Sequence, residues 1–164
     1  MNILIVSDVQ NGFMTFPKCK EVGNKIVELL NEGKADKVIA LKYSNYKKSP
    51  FVQFLGYDKM MSDEEVELLG GIKADVVWDK STYSPVSRDF INLLVKLNNG
   101  KLPNEVYLCG FDTDACVLAT ALNLFEIGIK PIVLKDYCYS SGGKAIHQNA
   151  LKILERNIGE ENVV

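Results

Sequence analysis

The 164-residue chain has one histidine, His147, no Cys-x-x-Cys pair, and no apolar run approaching the roughly 20 residues of a bilayer-spanning helix. With one imidazole and scattered thiols, a zinc site built from Cys and His has no local motif to start from, and no metal is expected. A marked excess of one charge sign is also missing. The 19 Lys and Arg residues stand against 21 Asp and Glu, so no strong field gathers polyanions or holds the chain to an anionic membrane. Neither nucleic acid nor membrane is expected as a partner. No G-x-G-x-x-G turn or P-loop follows the first apolar run, which argues against a flavodoxin-like nucleotide or redox module and leaves no cofactor to expect. The opening residues Met1-Asn2-Ile3-Leu4-Ile5-Val6-Ser7-Asp8 lack a basic leader and reach an acid after four apolar residues. They predict a strand, and a cytoplasmic protein.

What the sequence has is alternation. Hydrophobic residues make up 47% of the chain, enough to bury one core, so a single domain over residues 1–164 is expected. Strands are predicted at Ile3 to Val6, Lys37 to Leu41, Ala74 to Trp78, Glu105 to Gly110 and Lys130 to Leu134, with a short sixth at Asn162 to Val164. Between them, Lys20 to Leu30, Ser87 to Leu97, Ala115 to about Ile127 and Lys144 to Asn157 have helical spacing. Ser62 and Glu65 form a capping-box pattern, Thr113-Asp114 can cap the helix that follows, and Lys42 to Gly56 reads as a functional loop. Alternating strands and helices imply a three-layer αβα sandwich around a mostly parallel, about six-stranded, Rossmann-like sheet. Cys19, Cys109, Cys116 and Cys138 fall in or near core elements, so free thiols are expected.

Parallel sheets of this kind bind ligands at the carboxyl ends of their strands, where Asp8, the Lys80 region and the Gly110 to Cys116 turn all fall. Cys116 either packs beneath a helix as a small hydrophobe or acts as a nucleophile. For the second role, its place in the first turn of a helix predicts a lowered thiol pKa and nearby free N–H groups for an oxyanion. Asp8 either caps the following turn or is held in a pocket, where partial burial would equip it to take a proton. Taken alone, Lys80 reads as an ordinary surface lysine.

Three ordered segments change those odds: Ile5-Val6-Ser7-Asp8-Val9-Gln10-Asn11-Gly12-Phe13, Lys80-Ser81-Thr82-Tyr83-Ser84, and Gly110-Phe111-Asp112-Thr113-Asp114-Ala115-Cys116-Val117-Leu118-Ala119-Thr120-Ala121. They closely resemble the isochorismatase-like cysteine hydrolases, in order and spacing through nearly the whole chain. The resemblance implies a catalytic triad of Asp8, Lys80 and Cys116. It also implies a cis peptide at Phe111–Asp112 and an oxyanion hole from the Asp112 and Cys116 amides. The implied reaction is hydrolysis of a small amide, carbamoyl or related C–N bond through a covalent acyl-enzyme. A homo-oligomer is implied as well, and a small molecule is the expected partner.

The chain departs from the nicotinamidases of that family after strand two. Leu41-Lys42-Tyr43-Ser44-Asn45-Tyr46-Lys47-Lys48 has no acid and no histidine where those proteins place metal ligands. The alternative that follows is a catalytically silent protein that binds a small molecule on the same fold. His147 is expected to be structural or capping rather than catalytic. Phe13, Phe16, Tyr43, Tyr46, Phe51, Phe54, Tyr57 and Tyr83 fall near the loops that should rim a cleft, and Phe13 and Tyr83 are taken as substrate-binding residues.

Overall fold

Burial on both faces turns the apolar runs into a parallel sheet. In the computed structural model, which describes residues 1–164, every residue of β1 (Ile3–Ser7) is buried. After a tight helical turn comes α1 (Pro17–Asn31), begun by a proline whose missing N–H matters least at a helix start. Next are β2 (Lys37–Tyr43), the short α2 (Pro50–Leu55) and α3 (Asp63–Val66), and then β3 (Val76–Lys80). The chain continues through α4 (Arg88–Leu97), β4 (Glu105–Gly110), α5 (Leu118–Glu126), β5 (Lys130–Cys138) and α6 (Lys144–Ile158).

The strand order is β3-β2-β1-β4-β5, all parallel. Moving from β1 to β2 takes the chain one way along the sheet, and from β4 to β5 the other way. Right-handed crossovers therefore place α1 on one face and α4 and α5 on the other. The two directions part between β1 and β4, the switch point where a crevice opens at the strands' carboxyl ends. Beneath it lies a core of 28 buried residues, including Ile3, Ile5, Leu41, Phe90, Leu108 and Leu124.

Several sequence expectations need correction. The sheet has five strands, not six. Val163 makes only an isolated parallel bridge to Val133, fixed by Val164 N–H to Val133 O at 3.0 Å and Lys135 N–H to Val164 O at 2.8 Å. β3 starts and ends two residues later than expected, so Lys80 closes the strand rather than following it. Residues 42–56 are not one loop, because β2 runs on to Tyr43 and α2 forms under a Ser49 cap. The helix expected from Ala115 starts at Leu118, after a wide π-type turn over Thr113–Val117. Neither Thr113 nor Asp114 caps it. The Ser62–Glu65 capping box and the Ser87 cap of α4 are present, all four cysteines are free thiols, and no helix is long and apolar enough to cross a membrane.

One glycine sets the geometry of the switch point. Gly110 pairs with Ser7 across β1 and β4 and has φ of +115°. A Cβ there would run into the Ser7 backbone carbonyl. Only glycine meets both demands. The expected outcome for Gly110→Ala is a loss of more than about 2 kcal/mol of stability, measurable by urea unfolding. An unchanged midpoint would mean the strands can part without cost.

Candidate active site

Asp8 leaves β1 with φ of +55° and its side chain fully buried. Lys80, ending β3 two strands away, reaches back across the sheet to meet it. The ammonium donates to Asp8 Oδ2 at 2.8 Å, to the Thr82 carbonyl at 3.0 Å and to Cys116 Sγ at 3.5 Å. All three of its protons are thereby used. Its Nζ also lies 5.2 Å from the centre of the Tyr43 ring, a cation–π contact. Ser7 Oγ adds a donor to Asp8 Oδ2 at 3.2 Å, while Asp8 Oδ1 is buried with no hydrogen-bond partner. The three residues singled out in the sequence thus meet at one point.

The electrostatics of that point are dominated by the loss of water. Burial pushes the Asp8 carboxyl up despite the pull of Lys80. Burial works to lower the Lys80 ammonium, but Asp8 and Cys116 outweigh it and leave it raised. Burial, with Asp8 beside it, pushes the Cys116 thiol well up, and Lys80 only partly offsets this. The expected lowering of the thiol at a helix start is therefore overturned. Cys116 sits in the π-type turn ahead of α5, and desolvation is the larger effect there.

The turn that holds Cys116 is clamped from a distance. The Phe111–Asp112 peptide bond is cis, and the Asp112 carbonyl accepts from the Ala115 and Val117 amides at 3.1 Å each. The Asp112 N–H has no acceptor in the protein. Its carboxylate accepts from the Ser141 N–H at 2.8 Å and from the Ser141 hydroxyl. Beside it, the Ser140 hydroxyl donates to Asp114, and the Thr113 N–H donates to the Tyr139 carbonyl at 3.0 Å. The Thr113 hydroxyl and His147 Nδ1 are 2.8 Å apart, with the imidazole packed on the Tyr139 ring at 4.9 Å. His147 is a brace for this turn. The strap Tyr139-Ser140-Ser141 and the role of the Asp112 side chain were missed in the sequence, where Ser141 is merely one of two serines before two glycines.

Cys116, 9% exposed, lies in a cleft of about 290 Å³. Phe13, Tyr43, Phe51, Tyr57 and Tyr83 line it, together with Leu55, Asp112, Ala115 and Ser141. Both aromatics taken as substrate-binding residues are therefore in the wall. Edge-to-face contacts at 5.4 Å and 4.9 Å join Tyr43 to Phe51 and Phe51 to Tyr83. Of the remaining aromatics, Phe16 lines the adjoining cavity, while Tyr46 and Phe54 are exposed and outside the cleft.

The model of the isochorismatase domain matches residues 2–160. The chain belongs to the isochorismatase family. No curated protein is significantly similar to this isochorismatase-family hydrolase in sequence, but solved structures share its fold. A nicotinamidase from Bacillus subtilis is 23% identical over 96% of both chains, with a TM-score of 0.76. A pyrazinamidase of Pyrococcus horikoshii in complex with zinc is 21% identical over 96% of both, also at 0.76. An N-carbamoylsarcosine amidase from Thermoplasma acidophilum is 21% identical over 93% of this chain and 92% of its own, at 0.71.

A zinc ion like that of the pyrazinamidase does not fit the residues after β2. No three His, Cys, Asp or Glu side chains converge on a common point, and Asn45 is fully engaged by the protein. Its amide donates to the Tyr57 and Lys59 carbonyls at 2.8 and 3.1 Å, and its oxygen accepts from Ser49 Oγ and the Tyr46 N–H.

Asp112 gives a testable linkage. Burial raises its carboxyl from 3.8 to about 6, with Ser141 opposing and Asp114 and Asp8 adding to the rise. Between those values the folded protein binds more protons than the unfolded chain, so this group costs stability as pH rises. Asp112→Asn removes the effect. Its stability relative to the parent should therefore grow by about 2 kcal/mol from pH 4 to pH 6. Urea titrations of both proteins across that range test this, and parallel pH profiles would show that the carboxyl does not titrate abnormally.

Proposed function

We propose that this protein is a cysteine hydrolase of a small amide, carbamoyl or related C–N bond, with Asp8, Lys80 and Cys116 as its catalytic residues. The observation that carries the reading is the single buried ammonium within hydrogen-bond reach of both a carboxylate and a thiol. One positive charge balances one negative charge at a time. With Asp8 ionised, Cys116 rests as a thiol; moving the thiol proton to Asp8 leaves the total charge unchanged and creates the nucleophile. Asp8 Oδ1, buried and without a partner, is the acceptor available for that proton.

The thiolate then attacks the substrate carbonyl carbon, and the oxygen takes up the displaced electron pair. The Asp112 and Cys116 N–H groups hold this oxyanion. Collapse breaks the C–N bond, and Asp8 returns its proton to the departing nitrogen. Water, deprotonated by Asp8, attacks the thioester, releasing the acid and restoring the thiol. Throughout, Lys80 keeps its charge and lowers the cost of negative charge on sulfur. The reading takes residues 1–164 as one domain acting on a small molecule without a cofactor, and Phe13 and Tyr83 as contacts to the substrate. The nicotinamidase and amidase names of the structural neighbours support the choice of an amide or carbamoyl bond.

Cys116→Ala is expected to lower ammonia release from a substrate by about a thousandfold or more with the unfolding midpoint little changed. Asp8→Asn should do the same, and Lys80→Ala should cost about a hundredfold or more. Turnover by a correctly folded Cys116→Ala protein would falsify the assignment, while saturable binding without product in the parent would favour a silent binding protein. Because the donor set after β2 does not suit a metal, prolonged dialysis against a chelator should leave turnover unchanged. A loss restored by added zinc would contradict that.

A further inference from the structure

The cleft's charge is as distinctive as its nucleophile. Its lining holds one carboxylate, Asp112, and no cation. The nearest ammonium, Lys80, is already divided among Asp8, Thr82 and Cys116. The adjoining cavity shares Phe13, Tyr57 and Ser141 with the cleft and sets Lys59 against Glu64 and Glu65, so it adds no positive charge. The charges that act most on Asp112 are of its own sign. Asp114 and Asp8 act on it as like charges, and Ser141 donates to it. The Tyr57 hydroxyl and the Cys19 thiol, both pushed up to about 12 first by burial, feel Asp112 as a further obstacle to ionisation.

After the two Ser141 bonds, each Asp112 carboxylate oxygen keeps a lone pair. The rings of Phe51, Tyr57 and Tyr83, with Tyr43, line the same space, and aromatic faces attract cations. An anionic group placed there would meet Asp112 with nothing to neutralise it, and like charges brought together in a partly desolvated site repel strongly.

We propose that the cleft selects its substrate by charge: the non-reacting part of the amide is cationic, held between the aromatic wall and the Asp112 carboxylate, and amides with a carboxylate there are rejected. The proposal rests on the cysteine-hydrolase reading for the reacting end. Asp112 thereby has two roles, through its amide on the oxyanion and through its side chain on the remainder of the substrate.

The test uses Cys116 as a reporter of the field in the cleft. The full-length protein is treated with two methanethiosulfonates of similar size, the cationic ethyltrimethylammonium and the anionic ethylsulfonate reagent. Each rate at Cys116, mapped by mass spectrometry, is divided by that reagent's rate with a free small thiol. At neutral pH the cation-to-anion ratio is expected to be about ten or more. It should fall toward one in Asp112→Asn, and in the parent protein as pH drops below about 6. The pH series needs no variant and so stands even if Asp112→Asn folds poorly. In the same assay, para-aminomethyl benzamide should protect Cys116 better than para-carboxylate benzamide. A ratio at or below one, a ratio that neither the variant nor acid changes, or better protection by the carboxylate overturns the proposal. A Cys116 that reacts with both reagents no faster than the buried Cys109 overturns the cysteine-hydrolase reading instead, while the ratio still reports the sign of the cleft.

Discussion

A lone ammonium between two acids, all three buried, is the constraint on which the rest of this structure depends. Burial alone works to lower the Lys80 ammonium and to raise the Asp8 carboxyl and the Cys116 thiol. In the mechanism we propose, together they form a set with room for one negative charge and therefore one mobile proton. Each neighbouring feature preserves that count. Thr82 takes the third Lys80 proton, Ser7 supports one carboxylate oxygen, and the Tyr43 ring covers the ammonium without offering it a competing anion.

The fold brings the set together because the sheet changes direction between β1 and β4. Asp8 and the Cys116 turn leave neighbouring strands at that point, and the close Gly110–Ser7 pairing keeps them close. Lys80 comes from the far edge, and its long side chain spans β2 to reach them. Gln10, fully buried, locks this corner: its amide donates to the Tyr43 and Val66 carbonyls, and its oxygen accepts from the Tyr43 N–H. The cleft floor is thus backbone-anchored, while its aromatic wall is carried in part by the short α2.

Much of this was legible in the chain, and the exceptions have physical causes. The β-branched runs announced the strands, because burial on both faces leaves no polar alternation to confuse them. The three motifs marked Asp8, Lys80 and Cys116 through their resemblance to the isochorismatase-like hydrolases, and the structure brings the three side chains together. The sixth strand was overestimated, since Asn162-Val163-Val164 has strand composition but too few residues for more than one bridge. The thiol's direction was misjudged because a sequence displays a helix start and hides the depth of burial. Asp112 and Ser141 are 29 positions apart, and nothing local in either residue reveals that they pair. Among the rim aromatics, Tyr43, Phe51 and Tyr57 turn inward while Tyr46 and Phe54 do not, a difference set by the Asn45 knot and the helical phase of α2.

The single bridge at Val163 also bears on how the molecule behaves among its neighbours. β5 is an outer strand of the sheet, and an outer strand offers unpaired N–H and C=O groups to any extended segment it meets. Here the last residues of the chain already occupy Val133 O and Lys135 N–H. A stray strand arriving at that margin finds its first two docking points taken, so the tail acts as a guard against edge-to-edge aggregation.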